Sequence, residues 1–234
     1  MQDAFSRTKQ LIGDAAFARL TKCRVAVFGV GGVGSYTVEA LARSGIGALE
    51  LFDKDIVDIT NINRQLIALH STLGQSKVAV CAARIADINP KAEVITHSVF
   101  VTPELLDEMD FSVYDYVVDA VDTVTAKIAI CRRAREAGVP VISAMGAGNK
   151  LDPTGFSVAM MEKTEGCHLA RVMRSELKKR GITGVKAVFS KEPVRTTGEI
   201  EGERRSPTPA SIAYVPSVAG LILAGEVISD LMKG

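Results

Sequence analysis

Over the first 150 residues, short apolar runs alternate with stretches whose apolar positions recur at helical spacing. Arg24 to Phe28 (RVAVF) is bounded by a charge and a glycine, which predicts a buried strand. Val33 to Ser44 has helical periodicity and stops at Gly45. Ala48 to Phe52 predicts a second strand ending in Asp53. Ser76 to Ile88 predicts a helix stopped by Asn89-Pro90. Glu93 to Thr96 and Tyr116 to Val118 predict two more strands, the latter ending at Asp119. A helix over Thr123 to Ala137 is closed by Gly138, and Pro140 to Ser143 is a fifth strand. This alternation predicts an α/β fold with a Rossmann-like, doubly wound, mostly parallel sheet. Right-handed crossovers then bring Gly29, Asp53, Asp119 and the Ser143–Gly148 turn to one sheet edge, where ligands bind.

After Gly148 the pattern changes. A strand over Phe156 to Met160, an amphipathic helix over His168 to Arg180 and a strand over Val185 to Phe189 extend the same sheet. Arg195 to Pro209 is polar and rich in Gly, Pro and Thr, which predicts a mobile loop suited to closing over a site. Tyr214 to Pro216 leads into a final helix from Ser217. The expectation is a single domain over residues 1–234, with a nucleotide-binding part (1–150) and a substrate-binding extension (151–234).

The chain has 234 residues, 47% apolar and 24% charged, with a net charge of +1. That suits one large domain, and a net charge so small means that any nucleic-acid site must come from local patterning. Ile212 to Ile228 is the most apolar stretch. Interrupted by Pro216 and Glu226, it reads as too short to span a bilayer and predicts a buried strand and helix, with no membrane partner. The polar stretch Met1 to Gln10 has no signal-peptide core. The four cysteines (Cys23, Cys81, Cys131, Cys167) form no CxxC, which argues against disulfides and structural zinc and for a reducing cytoplasm.

Gly29-Val30-Gly31-Gly32-Val33-Gly34 suits a tight strand-to-helix turn, where glycines admit a phosphate to an uncapped helix start. Asp53, 19 residues after Gly34, stands where a carboxylate accepts from ribose hydroxyls. To this point NAD fits as well as ATP. Asn61, Arg64, Gln65 and Lys77 separate the two, because a triphosphate of about four negative charges needs cations and Mg²⁺ at its reacting phosphorus. Asp122, just past the fourth strand, is a Mg²⁺ ligand candidate. Each residue has a plainer alternative: Asp53 as an NAD ligand, Arg64 and Lys77 as surface charges, Asp122 as the cap of the helix from Thr123.

The runs GVGGVGS, LFDKDIVDITNINRQ, GQSKV and VDAVD together resemble the ubiquitin-activating, E1-like (ThiF-type) adenylating family over most of residues 5–150. The resemblance implies that Gly29, Gly31, Gly32 and Gly34 line phosphates and that Asp53 binds ribose. It implies that Asn61, Arg64, Gln65 and Lys77 hold the triphosphate and that Asp122 binds Mg²⁺. It also implies a homodimer in which an N-terminal arginine, here Arg7, reaches the partner's ATP; ordinary surface charge is the alternative for Arg7. Arg7, Arg64, Lys77 and Asp122 are thus the catalytic candidates.

Members that activate sulfur-carrier proteins usually carry two CxxC pairs, absent here. The only acceptor-cysteine candidate is Cys167, at a helix start, with an incidental cysteine as the alternative. The second half (SAMGAGNKLDPT, LARVMR, KKR, VFSKE) resembles the branch of the family that cyclises threonylcarbamoyladenosine at position 37 of the tRNA anticodon loop. That branch implies a carboxyl-adenylate intermediate, release of AMP and pyrophosphate, and an association with cysteine desulfurase systems. Activation of a small ubiquitin-like carrier protein is the alternative. Residues 169–195 hold eight cations against two anions, with Arg171, Arg174 and Lys178 on one helical face. With Lys179 and Arg180 they form a basic stripe that suits an RNA backbone, a solvated helix face being the plainer reading. The sequence offers no aromatic platform for stacking a base.

Overall fold

In the computed structural model, which describes residues 3–195 and 209–233, seven strands form one sheet. They are β1 (Arg24–Phe28), β2 (Ala48–Phe52), β3 (Glu93–His97), β4 (Tyr116–Asp119), β5 (Val141–Ala144), β6 (Phe156–Met160) and β7 (Val185–Ser190). The helices are α1 (Ser6–Ile12), α2 (Asp14–Leu20), α3 (Gly34–Arg43), α4 (Lys77–Ile88), α5 (Pro103–Glu108), α6 (Val124–Glu136), α7 (His168–Lys179) and α8 (Tyr214–Lys233). The strand order is β3-β2-β1-β4-β5-β7-β6. The chain winds outward from β1 through β2 to β3, then returns to the other side of β1 with β4. Every pairing is parallel except that of the edge strand β6 with β7.

The central strands are apolar at successive positions because both faces are covered. Val25 and Val27 face a core built with α3, α4 and α8, whereas Ala26 and Phe28 face a second core built with α5, α6 and α7. On the second face an aromatic row crosses the strand ends. Phe28 stacks on Phe52 with centroids 4.5 Å apart, and Phe52 stacks on His97 at 4.4 Å.

The final helix corrects two expectations. It starts at Tyr214, three residues before Ser217, and no strand precedes it among the described residues. Pro216 falls in the first turn, where amide N–H groups have no intrahelical acceptor, so its missing donor costs little. At 20 residues α8 is long and apolar enough to cross a membrane by length and composition. Its apolar face is instead packed inside the protein: Val215, Ala219, Leu223, Ala224 and Val227 are buried. At Gly220 the backbone of α8 meets α3. Thr37 Oγ1 donates to the Gly220 carbonyl at 3.0 Å, and a methyl on Gly220 would lie 2.3 Å from the Val33 oxygen.

Gly220→Ala should therefore force α8 off α3 at a cost of about 2–3 kcal/mol. Thermal denaturation should show a Tm lower by about 5–10 °C, and an unchanged Tm would contradict the close approach.

Candidate nucleotide site

The topological switch lies between β1 and β4, and there a cavity of about 540 Å³ opens at the strand C-terminal ends. Gly29, Gly31, Gly32, Asp53, Asn61, Arg64, Gln65, Lys77 and Asp122 all line it. Gly34 does not. It belongs to the turn itself, where a Cβ would sit 1.8 Å from the Gly29 carbonyl oxygen, so only glycine lets α3 start against the end of β1. Val33 precedes α3 and no side chain caps it, which leaves the positive end of the helix to a ligand.

Asp53 is fixed by both carboxylate oxygens. Oδ2 accepts from the Val30 amide at 2.9 Å, tying it to the glycine turn, and Oδ1 accepts from the Asp55 amide at 2.9 Å. Each oxygen keeps a lone pair for a ribose hydroxyl. Asn61 is buried, and its Oδ1 accepts from the Asp58 amide at 3.1 Å, closing the turn that carries the motif. Arg64 makes no ion pair among the described residues. Its Nη1 is held by the Thr60 carbonyl and the Asn63 side chain at 2.7 and 3.0 Å. Gln65 is buried, and its Oε1 has no hydrogen-bond partner among the described residues. A buried orphan polar atom beside a cavity fits a polar ligand.

Lys77, only 4% exposed, pairs with Asp55 at 2.8 Å. Asp55 was not among the expected residues. Its spacing from Asp53 was visible, but its role depends on Lys77 returning from 22 residues downstream. Asp122 is exposed at the cavity. The plainer reading of Asp122 fails: α6 starts at Val124, its cap residue is Thr123, and no side chain caps it. One hydrogen bond, from Thr123 Oγ1 at 3.3 Å, leaves the carboxylate open. No group of three or more metal-ligating side chains occurs among the described residues. One carboxylate beside a phosphate site fits Mg²⁺, which keeps waters and phosphate oxygens as most of its ligands.

The opposite wall is Val99, Phe100 and Val101, after β3. Phe100 is about half exposed, and Lys54 Nζ sits 4.4 Å from its ring centroid. A single aromatic ring thus borders the nucleotide cavity: a lone Phe carries no periodicity, and only the strand order brings it there. A smaller cavity of about 190 Å³ adjoins the first, sharing Gly146, Gly148 and Leu169 and adding Lys150, Cys167 and His168. Cys167 is half-buried at the start of α7. Burial pushes the thiol of Cys81 up to about 12 and raises those of Cys131 and Cys23.

Arg7 is exposed on α1 and lies outside the cavity lining. The basic stripe is less cationic than its composition. Arg174 turns inward, donating to the Thr164 hydroxyl at 2.8 Å and to the Thr164 carbonyl. Lys179 and Arg180 share Glu176, each at 2.6 Å. Lys186 is held by Glu226 and Asp230, Lys191 by Glu165, and Arg195 by Glu192. Glu226, Asp230 and Glu165 come from outside the segment, which is why counting charges within it overstated the stripe. Arg171 and Lys178 are exposed and make no ion pair among the described residues. Of the expected lid, residues 196–208 lie outside the described residues.

The ThiF family model matches residues 5–233. The tRNA threonylcarbamoyladenosine dehydratase of Bacillus subtilis is 48% identical, covering 100% of this chain and 96% of its own length. That of Escherichia coli is 40% identical over 80% of this chain and 73% of its length. The crystal structure of the Escherichia coli enzyme in complex with ATP superposes with a TM-score of 0.88 at 34% identity, covering 98% of this chain and 93% of that one. The chain belongs to the ThiF family.

Proposed function

We infer that this chain is an ATP-dependent tRNA threonylcarbamoyladenosine dehydratase. The observation that carries the reading is one cavity gathering Asp53, Asn61, Arg64, Gln65, Lys77 and Asp122, in a chain alike over its whole length to enzymes of that name. Activation of a carrier protein is the less favoured reading.

In the proposed reaction an oxygen of the threonyl carboxylate attacks the α-phosphorus of ATP. The bond to the bridging oxygen breaks and pyrophosphate leaves. A ureido nitrogen of the same side chain then attacks the activated carbonyl carbon, loses its proton and expels AMP. The net change in the nucleoside is loss of one water. Ring closure within one molecule reaches an effective molarity of about 10⁵ M or more, so no enzyme nucleophile is required.

The protein's part is positioning and charge. The glycine turn and the start of α3 receive phosphate oxygens, Asp53 orients the ribose, and Val99 to Val101 offer an apolar wall for the base. Arg64 and Lys77 offset the triphosphate charge, Lys77 sharing itself between Asp55 and the ligand. Mg²⁺, held at Asp122, offsets charge on the phosphates when bound. The side chain of the modified nucleoside approaches through the smaller cavity, and Arg171 and Lys178 on the exposed face of α7 receive the tRNA backbone. A homodimer in which Arg7 reaches the partner's site, and a cysteine desulfurase or sulfur-acceptor partner, belong to the same proposal.

The deciding experiment incubates the protein with ATP–Mg²⁺ and tRNA bearing threonylcarbamoyladenosine, then weighs the digested nucleosides. Loss of one water with one AMP per nucleoside is expected, and an untouched nucleoside would sink the assignment. Asp122→Ala should cut turnover about 10²–10³-fold. Cys167→Ala should stay within about twofold of the parent, since closure needs no thiol; a dead Cys167→Ala protein would favour the carrier-protein reading.

Nucleotide choice has its own check. ATP–Mg²⁺ at about 100 times its Kd should stabilise the fold by about 2.7 kcal/mol. In a melting experiment that is about 5–10 °C, and NAD at the same concentration should leave the curve in place.

A further inference from the structure

In the wall of the nucleotide cavity, which Lys127 and Ala144 help to line, lies a charged cluster with no part in the chemistry above. Asp119 ends β4 with 0% exposure, and Lys127 of α6 is 1% exposed. Lys127 Nζ donates to Asp119 Oδ2 at 3.1 Å, to the Ala144 carbonyl at 2.7 Å and, more weakly, to Ser143 Oγ at 3.4 Å. Ser143 Oγ donates to the same Asp119 oxygen, and the other oxygen of Asp119 accepts from the Val121 amide at 3.2 Å.

Burying such a pair is a poor route to stability. Desolvating two charges costs as much as their attraction returns, and an apolar pair of the same size often serves as well. What this pair provides is geometry. The three groups facing the ammonium are the last residue of β4 and the last two of β5. The residues that follow, Ala120 to Asp122 and Met145 to Gly148, both line the nucleotide cavity, and Gly146 and Gly148 also line the smaller one.

We propose that Lys127 is a positioning residue that clamps the ends of β4 and β5 together, holding Asp122 and the 145–148 turn in register for the reaction. It acts through the Asp119 carboxylate, which fixes the Val121 amide one residue before Asp122, and through the Ala144 carbonyl, which fixes the start of the turn. This rests on the assignment of Asp122 to Mg²⁺ made above.

The test separates stability from positioning. Lys127→Met strands a buried carboxylate and should lower the Tm. The double variant Lys127→Met/Asp119→Asn removes both charges at nearly constant volume and should recover most of the Tm. The parent and the double variant are then titrated with ATP by calorimetry, in EDTA and in Mg²⁺. The double variant should bind ATP in EDTA as the parent does but lose the gain in affinity that Mg²⁺ brings. Its turnover on modified tRNA should fall about 100-fold, as displacements of about 1 Å at a reacting centre do.

If the double variant regains Tm, Mg²⁺-dependent affinity and turnover together, the clamp is structural only and the proposal fails. Should it not fold, Ser143→Ala removes one arm and no charge. A Mg²⁺ gain and a turnover both equal to the parent's would then overturn the proposal. The calorimetric arm needs no tRNA. A parent that binds ATP–Mg²⁺ and leaves the nucleoside intact therefore overturns the reaction while the clamp is still decided.

Discussion

The contact on which the rest depends is the approach of the start of α3 to the end of β1. A Cβ at position 34 would lie 1.8 Å from the Gly29 oxygen, so the helix docks there only with glycine. That docking aims the uncapped end of α3 into the cavity and brings the Val30 amide within 2.9 Å of Asp53. It also fixes the position of α3 against α8, where Thr37 bonds to Gly220. The last helix thus reaches back to the glycine turn, and Pro216 comes to within about a van der Waals contact of where a Gly32 side chain would begin. A backbone constraint in six residues organises both ends of the chain.

The charges around this turn fall into two kinds. Asp119 and Lys127 are both buried and satisfy one another. Lys77 and Asp55 are different: the ammonium is buried and the carboxylate is half exposed, so water can take over the carboxylate when a phosphate takes the ammonium. Arg64 has carbonyl partners only, which orient the guanidinium without neutralising it. With Lys54, which also lines the cavity and makes no ion pair among the described residues, the site suits a ligand that brings more negative charge than a dinucleotide's pyrophosphate.

The fold was legible where one physical signal dominates. Central strands covered on both faces are mostly apolar, and β1 and β2 span the residues that pattern marks, as does the half-buried edge strand β6. Helix ends signalled by Gly45, Asn89 and Gly138 fall within a residue of those in the structure. Illegible were features set by distant partners. The short helices α1, α2 and α5 are too brief for a periodic signal. The insertion of β7 between β5 and β6 leaves no local mark. Lys127 looks like any surface lysine of an amphipathic helix until β4 and β5 close over it. Pro216 misled because proline marks a helix boundary without saying on which side of it the first turn lies.

The basic stripe shows how far a composition argument carries. Counted along the chain, residues 169–195 are strongly cationic. In space most of those cations are bound within the fold: Arg174 holds a turn carbonyl, Lys186 bridges two acids of α8, and Lys179 and Arg180 divide one glutamate. Nonspecific attraction to a polyanion scales with the phosphates that free cations neutralise. Among the described residues of that segment Arg171 and Lys178 carry the charges left without an ion pair, so its pull on a polyanion is smaller than its composition suggests. Under the proposed function, discrimination among tRNAs then rests on the smaller cavity at the start of α7, which would take the modified side chain. That side chain brings a carboxylate, the group adenylation requires, so in the proposed reaction the modified base itself would supply the discrimination.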